Sequence, residues 1–113
     1  MHFLTLATVV DEQLVAARAT SSGRSARTVL GGREHLLRQT VLALLAGRGL
    51  DEHESPGEAT LQVLAGRVRL TAGEQSWEGV VGDYLVIPPT RHSLDAVEDS
   101  AILLTVVPAV ARQ

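Results

Sequence analysis

Four histidines, His2, His35, His53 and His92, are the side chains in this chain best suited to hold a metal or a small polar molecule. Imidazole offers a nitrogen lone pair near neutral pH, and it is the commonest protein ligand for transition metals. Cysteine is absent, which rules out disulfides, a thiolate nucleophile and cysteine-ligated zinc. Lysine is absent as well, so Schiff-base chemistry on a lysine is excluded. Two of the histidines stand in glycine-bounded segments that read as a strand next to a turn. One segment runs from Gly47 through His53, Ser55 and Glu58 to Gly66; the other runs from Gly82 through Pro88 and His92 to Ala96. A lone histidine is more often a hydrogen-bonded or half-exposed residue than a ligand, and His2 is read that way.

The elements that must position these residues follow from length and pattern. With 113 residues the chain has room for one domain, since domains usually occupy roughly 100 to 150 residues. Apolar residues make up 45% and charged residues 20%, with a mean hydropathy of +0.15, the composition of a compact fold with its own core. The longest apolar stretch, Val41 to Gly47, is far short of the ~20 residues of a membrane span. The first ten residues lack a basic region and meet Asp11 and Glu12 at once, so they do not read as a signal peptide. The expectation is a cytoplasmic protein that does not engage a membrane.

Charge is divided unevenly. Residues 1 to 50 carry six arginines against three acids, and residues 51 to 113 carry four against ten. No basic stripe continues into the second half, and the only aromatics are Phe3, Trp77 and Tyr84, so nucleic-acid binding is not expected.

Thr8 followed by Asp11 resembles a capping box, and Val10, Leu14 and Ala17 recur at helical spacing, which predicts one short helix over 8–19. Ser21, Ser22, Gly23 and Ser25 end it. The rest reads as strand: a short run at Thr28 to Leu30, a longer one over 34–45, then runs of four to seven residues punctuated by Gly66, Gly73, Gly79 and Gly82. Arg67-Val68-Arg69-Leu70 alternates polar with apolar, as a strand with one wet face does, and Pro88-Pro89 close the run that starts at Tyr84. Further runs follow at His92 to Val97 and Ile102 to Val107. The spacing predicts an all-β sandwich or barrel in one domain over 1–113, with helix and connector in 1–25 and the barrel in 26–108.

The two histidine segments resemble the paired motifs of the cupin superfamily, G-(x)5-H-x-H-(x)3,4-E-(x)6-G and G-(x)5-P-x-G-(x)2-H-(x)3-N. Gly47, His53 and Gly66 fall in register with the first and Gly82 and Pro88 with the second, over residues 47 to 96. The resemblance implies a cupin-type jelly-roll β-barrel whose two motifs pair on one wall and point their histidines into a pocket at the barrel mouth. It also implies a divalent metal, Zn, Fe, Mn or Ni, on three histidines and a glutamate. Here that set is broken. Ser55 replaces the second histidine, Ala59 the glutamate, Thr90 the glycine and Ala96 the asparagine, and His92 arrives one residue early, with Ser93 in its nominal place.

Two imidazoles alone rarely hold a metal. Glu58, one residue from the expected glutamate and just after Pro56-Gly57, is a candidate third ligand that can equally face solvent. His35 and Gln39 are others: on a strand over 34–45 they share a face with Leu37, Val41 and Ala43, and join His53 and His92 if that face lines the pocket. Otherwise they are surface groups. Trp77 reads as packing on a sheet face or as an aromatic lid over the mouth.

Three functions follow. One is a non-enzymatic module binding a small polar molecule through His53, His92, Gln39 and His35, as a sensor or accessory protein. A second is a metal-dependent enzyme of the dioxygenase or isomerase class, with metal on His53, His92 and Glu58. The third is a structural homodimer with the N-terminal helix or strand across its partner, an association that the resemblance to small cupins also implies. Dimerisation is compatible with all three.

Overall fold

The chain begins by folding its apolar helical stripe onto a sheet. In the computed structural model, which describes residues 1–55 and 57–109, helix α1 spans Leu6–Arg18. The expected Thr8–Asp11 capping box is not what starts it. Thr5 is the N-cap, extended at φ −97, and its carbonyl accepts the N–H groups of Thr8 and Val9. The helix therefore opens two residues before Thr8, where a box at Thr8 would have left a turn of good helix formers unused. At the other end Thr20 Oγ1 donates to the Ala17 carbonyl at 2.9 Å, satisfying an acceptor that the finished helix leaves over.

Among the described residues nine strands follow: β1 (Arg24–Leu30), β2 (Arg38–Leu44), β3 (Gly49–His53), β4 (Gly57–Ala65), β5 (Arg67–Ala72), β6 (Gln75–Val80), β7 (Tyr84–Val86), β8 (His92–Ala96) and β9 (Ser100–Pro108). The all-β expectation holds, and the barrel begins at Arg24, two residues earlier than expected. One sheet runs in the order β1-β2-β9-β4-β7, the other β3-β8-β5-β6, and every pairing is antiparallel. Facing each other, the two sheets form a jelly roll.

The strand expected over 34–45 is shorter. A turn in which the His35 N–H donates to the Gly32 carbonyl (3.3 Å) occupies its first residues, so β2 starts only at Arg38. Strand β1 is correspondingly longer than Thr28 to Leu30.

Alternation along the strands divides the apolar residues between two cores. Leu44, Leu61, Val63, Val68, Leu94 and Ile102 meet between the sheets, with others beside them. Val41 and Ala101 point out of the five-stranded sheet and are covered by Val9 and Val10 of α1. Burying a valine or leucine side chain stabilises by about 1.5–3 kcal/mol, so both cores are substantial. Arg67 and Arg69 lie on the wet side of β5, within 3.8 Å of Glu78, while Val68 and Leu70 point inward. Gly66 shows why the motif asks for glycine there. Its φ is +76, and a side chain would run into the Asp99 carbonyl and Ser100.

Candidate functional site

Strands β3 and β8 carry one histidine each, and their register decides whether the two meet. Gly49 faces Asp95 and Leu50 faces Leu94; continued evenly, that pairing would set Glu52 against His92. A register shift between Leu50 and His53 inserts one residue, and His53 becomes the partner of His92. Because a one-residue slip reverses which side chains face the core, this bulge brings the two imidazoles to one side of the sheet. Their ring centroids are 4.6 Å apart and the planes meet at 64°, an edge-to-face contact. The displacement of His92 by one residue from the family's frame does not turn it outward. His92, Leu94 and Ala96 are the buried residues of β8, and Ser93 is only half-buried.

Each ring is held by the backbone two residues upstream. His53 Nδ1 lies 2.9 Å from the Asp51 carbonyl, and His92 Nδ1 lies 2.8 Å from the Thr90 carbonyl. A carbonyl only accepts, so both Nδ1 atoms carry protons and Nε2 is the nitrogen left for a ligand on each ring. In a neutral ring that Nε2 is a bare acceptor; in a charged ring it is a donor. His53 is exposed at the rim, whereas His92 is 4% exposed beneath it. Both line a cavity of about 40 Å³ whose other walls are aliphatic, among them Leu50, Ala59, Leu61, Leu70 and Ile87. Such a space admits a water molecule or a single functional group.

The opposite face of the same two strands is ionic. Arg91 donates from Nε to Glu52 at 3.0 Å and from a terminal nitrogen to Glu54 at 2.9 Å. The hydrogen bond to Glu52, followed by that to Glu54, raises the Arg91 pKa above its ordinary value. All three side chains are more than half exposed.

The remaining candidates are not brought to the imidazole pair. Glu58 is exposed and alternates with buried Ala59, so the family's carboxylate position faces the cavity with a methyl group and Glu58 faces away. Pro56, whose turn was to let Glu58 swing inward, lies outside the described residues. Ser55 donates to the Gly57 carbonyl at 3.0 Å. His35 is an exposed residue of the β1–β2 loop, 3.9 Å from Glu34. Gln39 points to the helix side of the five-stranded sheet with Val41 and hydrogen-bonds Thr105 Oγ1 at 3.2 Å, beside His2 and Phe3. The face shared by Gln39, Val41 and Ala43 is thus the outer one, and Leu42 and Leu44 take the inner one. Among the described residues no three of His, Cys, Asp and Glu come together to hold a metal ion. The residues present do not fit the metal that this kind of site holds elsewhere.

One feature was not foreseen. Between the edges of β6 and β7 opens a groove of about 480 Å³, lined by Leu70, Ala72, Gln75, Trp77, Val86 and Pro88 together with Ser76 and Leu85. Leu70 also lines the histidine cavity. Trp77 was read as packing or lid; it is half-buried against the inter-sheet core and lines this groove. Gln75 shares a face of β6 with Trp77, and the pairing of these two residues with Ala72 and Leu70 makes that face the inner one.

No protein-family model matches the sequence, and no curated protein does. Solved structures do. A protein of unknown function from Streptococcus pyogenes is 30% identical, with 79% of this chain and 77% of that one covered at a TM-score of 0.69. A cupin 2 conserved barrel domain protein from Salinispora arenicola is 17% identical, covering 83% and 86% at 0.68. A salicylate 1,2-dioxygenase from Pseudaminobacter salicylatoxidans is 19% identical and covers 88% of this chain at 0.76, but this chain spans only 33% of it. The last two are likenesses of fold. An RmlC-like cupin protein from Desulfovibrio desulfuricans is 26% identical, with 75% of this chain and 82% of that one covered at 0.64, and with the jelly roll and the motif frame this likeness shows that the chain belongs to the cupin superfamily.

Proposed function

We propose that this cupin binds a small polar molecule at the His53–His92 pair and acts as a binding module, a sensor or accessory protein, rather than as a metal enzyme. The observation that carries this reading is the composition of the cavity wall. Two fixed imidazoles face an otherwise aliphatic space, and the position of the family's glutamate is occupied by Ala59. Such a pair can hydrogen-bond one polar group of a ligand, and the aliphatic wall strengthens that bond by excluding water. The cavity's small volume means that the rest of the ligand lies outside it.

The test is metal analysis of protein purified without an affinity tag, together with NMR of the two histidines during a metabolite screen. The expected result is no stoichiometric transition metal and a metabolite that shifts both imidazoles, the effect being lost in His92→Ala. One equivalent of a transition metal that disappears in His53→Ala or His92→Ala would overturn the reading in favour of a metal-dependent enzyme.

A further inference from the structure

The groove beside Trp77 has features that the histidine cavity lacks. Its volume, about 480 Å³, falls in the range of small-molecule sites, against about 40 Å³ around the imidazoles. Among the described residues no charged side chain lines it. A charged group placed there gains no counter-charge from the lining, so the groove offers nothing that favours an ion over a neutral polar group.

Glycine determines how the tryptophan is presented. A Cβ on Gly79 would come 2.2 to 2.9 Å from three atoms of the six-membered ring of Trp77, so this ring lies over the bare backbone of Gly79, two residues along the same face of β6. An indole laid down on its own sheet covers Gly79 with one face and turns the other toward the space between the sheets. That face suits a flat ring, which stacks on it with an offset.

The register supplies the connection to the imidazoles. On β5 and β8, Leu70 faces Leu94 and Thr71 faces Ser93, and the next step sets Ala72 beside His92; on the other side Ala72 faces Gln75. His92, Ala72 and Gln75 thus form one inward row across three strands. With strands about 4.8 Å apart, Gln75 stands roughly 10 Å from His92, with only the methyl group of Ala72 between them.

We propose that this groove is the outer half of the binding site and takes an uncharged flat ring, stacked on Trp77, with a polar amide or hydroxyl edge hydrogen-bonded to Gln75. The proposal rests on the reading of the histidine pair as the ligand's inner contact, and the experiment separates the two.

Trp77 is the only tryptophan in the chain, so emission excited beyond the absorption of Tyr84 reports on this groove alone. The probes are benzamide, benzoate, which adds a charge to the same ring, and cyclohexanecarboxamide, which keeps the amide and loses the flatness. Benzamide is expected to shift the Trp77 emission saturably, the other two to bind at least about tenfold more weakly, and Gln75→Ala to weaken benzamide about tenfold. A response that is linear, equal for all three probes, or unchanged in Gln75→Ala overturns the proposal. The imidazole signals of His53 and His92 are followed in the same titrations. If Trp77 responds and neither imidazole does, the groove stands and the histidine reading falls; if the imidazoles respond and Trp77 does not, the groove falls and the histidine reading stands.

Discussion

Strands β3 and β8 present two chemistries on their two faces, separated in sequence by a single residue. Outward, Glu52 and Glu54 grip Arg91 in water. Inward, the next residues along, His53 and His92, touch edge to face over an aliphatic cavity. The outer cluster has the full charges and bonds of 2.9 and 3.0 Å, no shorter than the 2.8 and 2.9 Å bonds of the inner pair, and exposed ion pairs contribute little because water screens them and ordering long side chains costs entropy. The inner pair carries less charge, but each ring is held by a backbone carbonyl and His92 is sheltered from solvent. The difference shows that the alternation of a strand, set here by one bulged residue, separates an exposed ion-pair cluster from an imidazole pair on an aliphatic cavity.

That contrast can be broken from the inside outward. Leu94→Ala removes a 3%-exposed side chain between the sheets and is expected to lower stability by about 2–5 kcal/mol in denaturant titrations. His92→Ala should cost about 1–3 kcal/mol, because it empties a side-chain position that is 4% exposed and takes the partner from the Thr90 carbonyl, while the circular dichroism spectrum stays that of a β protein. His53→Ala, at the exposed rim, should change stability by about 0.5 kcal/mol or less and yet abolish the response of the site to its ligand. Arg91→Ala should leave the thermal midpoint within measurement error. The pH dependence sharpens the last point. Raising the pKa of a cation adds stability that is fully present below its ordinary value and lost only as pH rises through the raised one. The wild-type and Arg91→Ala midpoints should therefore stay together from neutral through moderately alkaline pH, and a gap between them that is present at neutrality and closes at moderately alkaline pH would contradict this account.

The barrel was legible because Gly66, Gly73 and Gly82 take positive φ in the turns and the runs between them alternate, whereas Gly79, expected in a turn, lies inside β6. The histidine pair was legible through the frame of Gly47, Gly66, Gly82 and Pro88. What pairs the two rings was not. A bulge at Asp51–Glu52 has no residue-type signature, and without it the frame leaves His92 one residue off and on an undefined face. His35 and Gln39 show the same limit. Alternation tells which residues share a face, but whether that face looks into the barrel or toward α1 depends on where the helix docks, and here Val9 and Val10 cover it. Gln75 became visible only once the register placed it in the row of Ala72 and His92. Trp77 was recognised with both of its readings open, and Gly79 two residues later is what favours a presented face.

The account's central claim is that both imidazoles carry their proton on Nδ1 and turn Nε2 toward one cavity. Long-range proton–nitrogen NMR of labelled protein, with a nuclear Overhauser measurement between the rings, tests it directly. The prediction is a protonated Nδ1 on both His53 and His92 and a cross-peak between their ring protons. A bare Nδ1 on either ring, or no cross-peak, would contradict it.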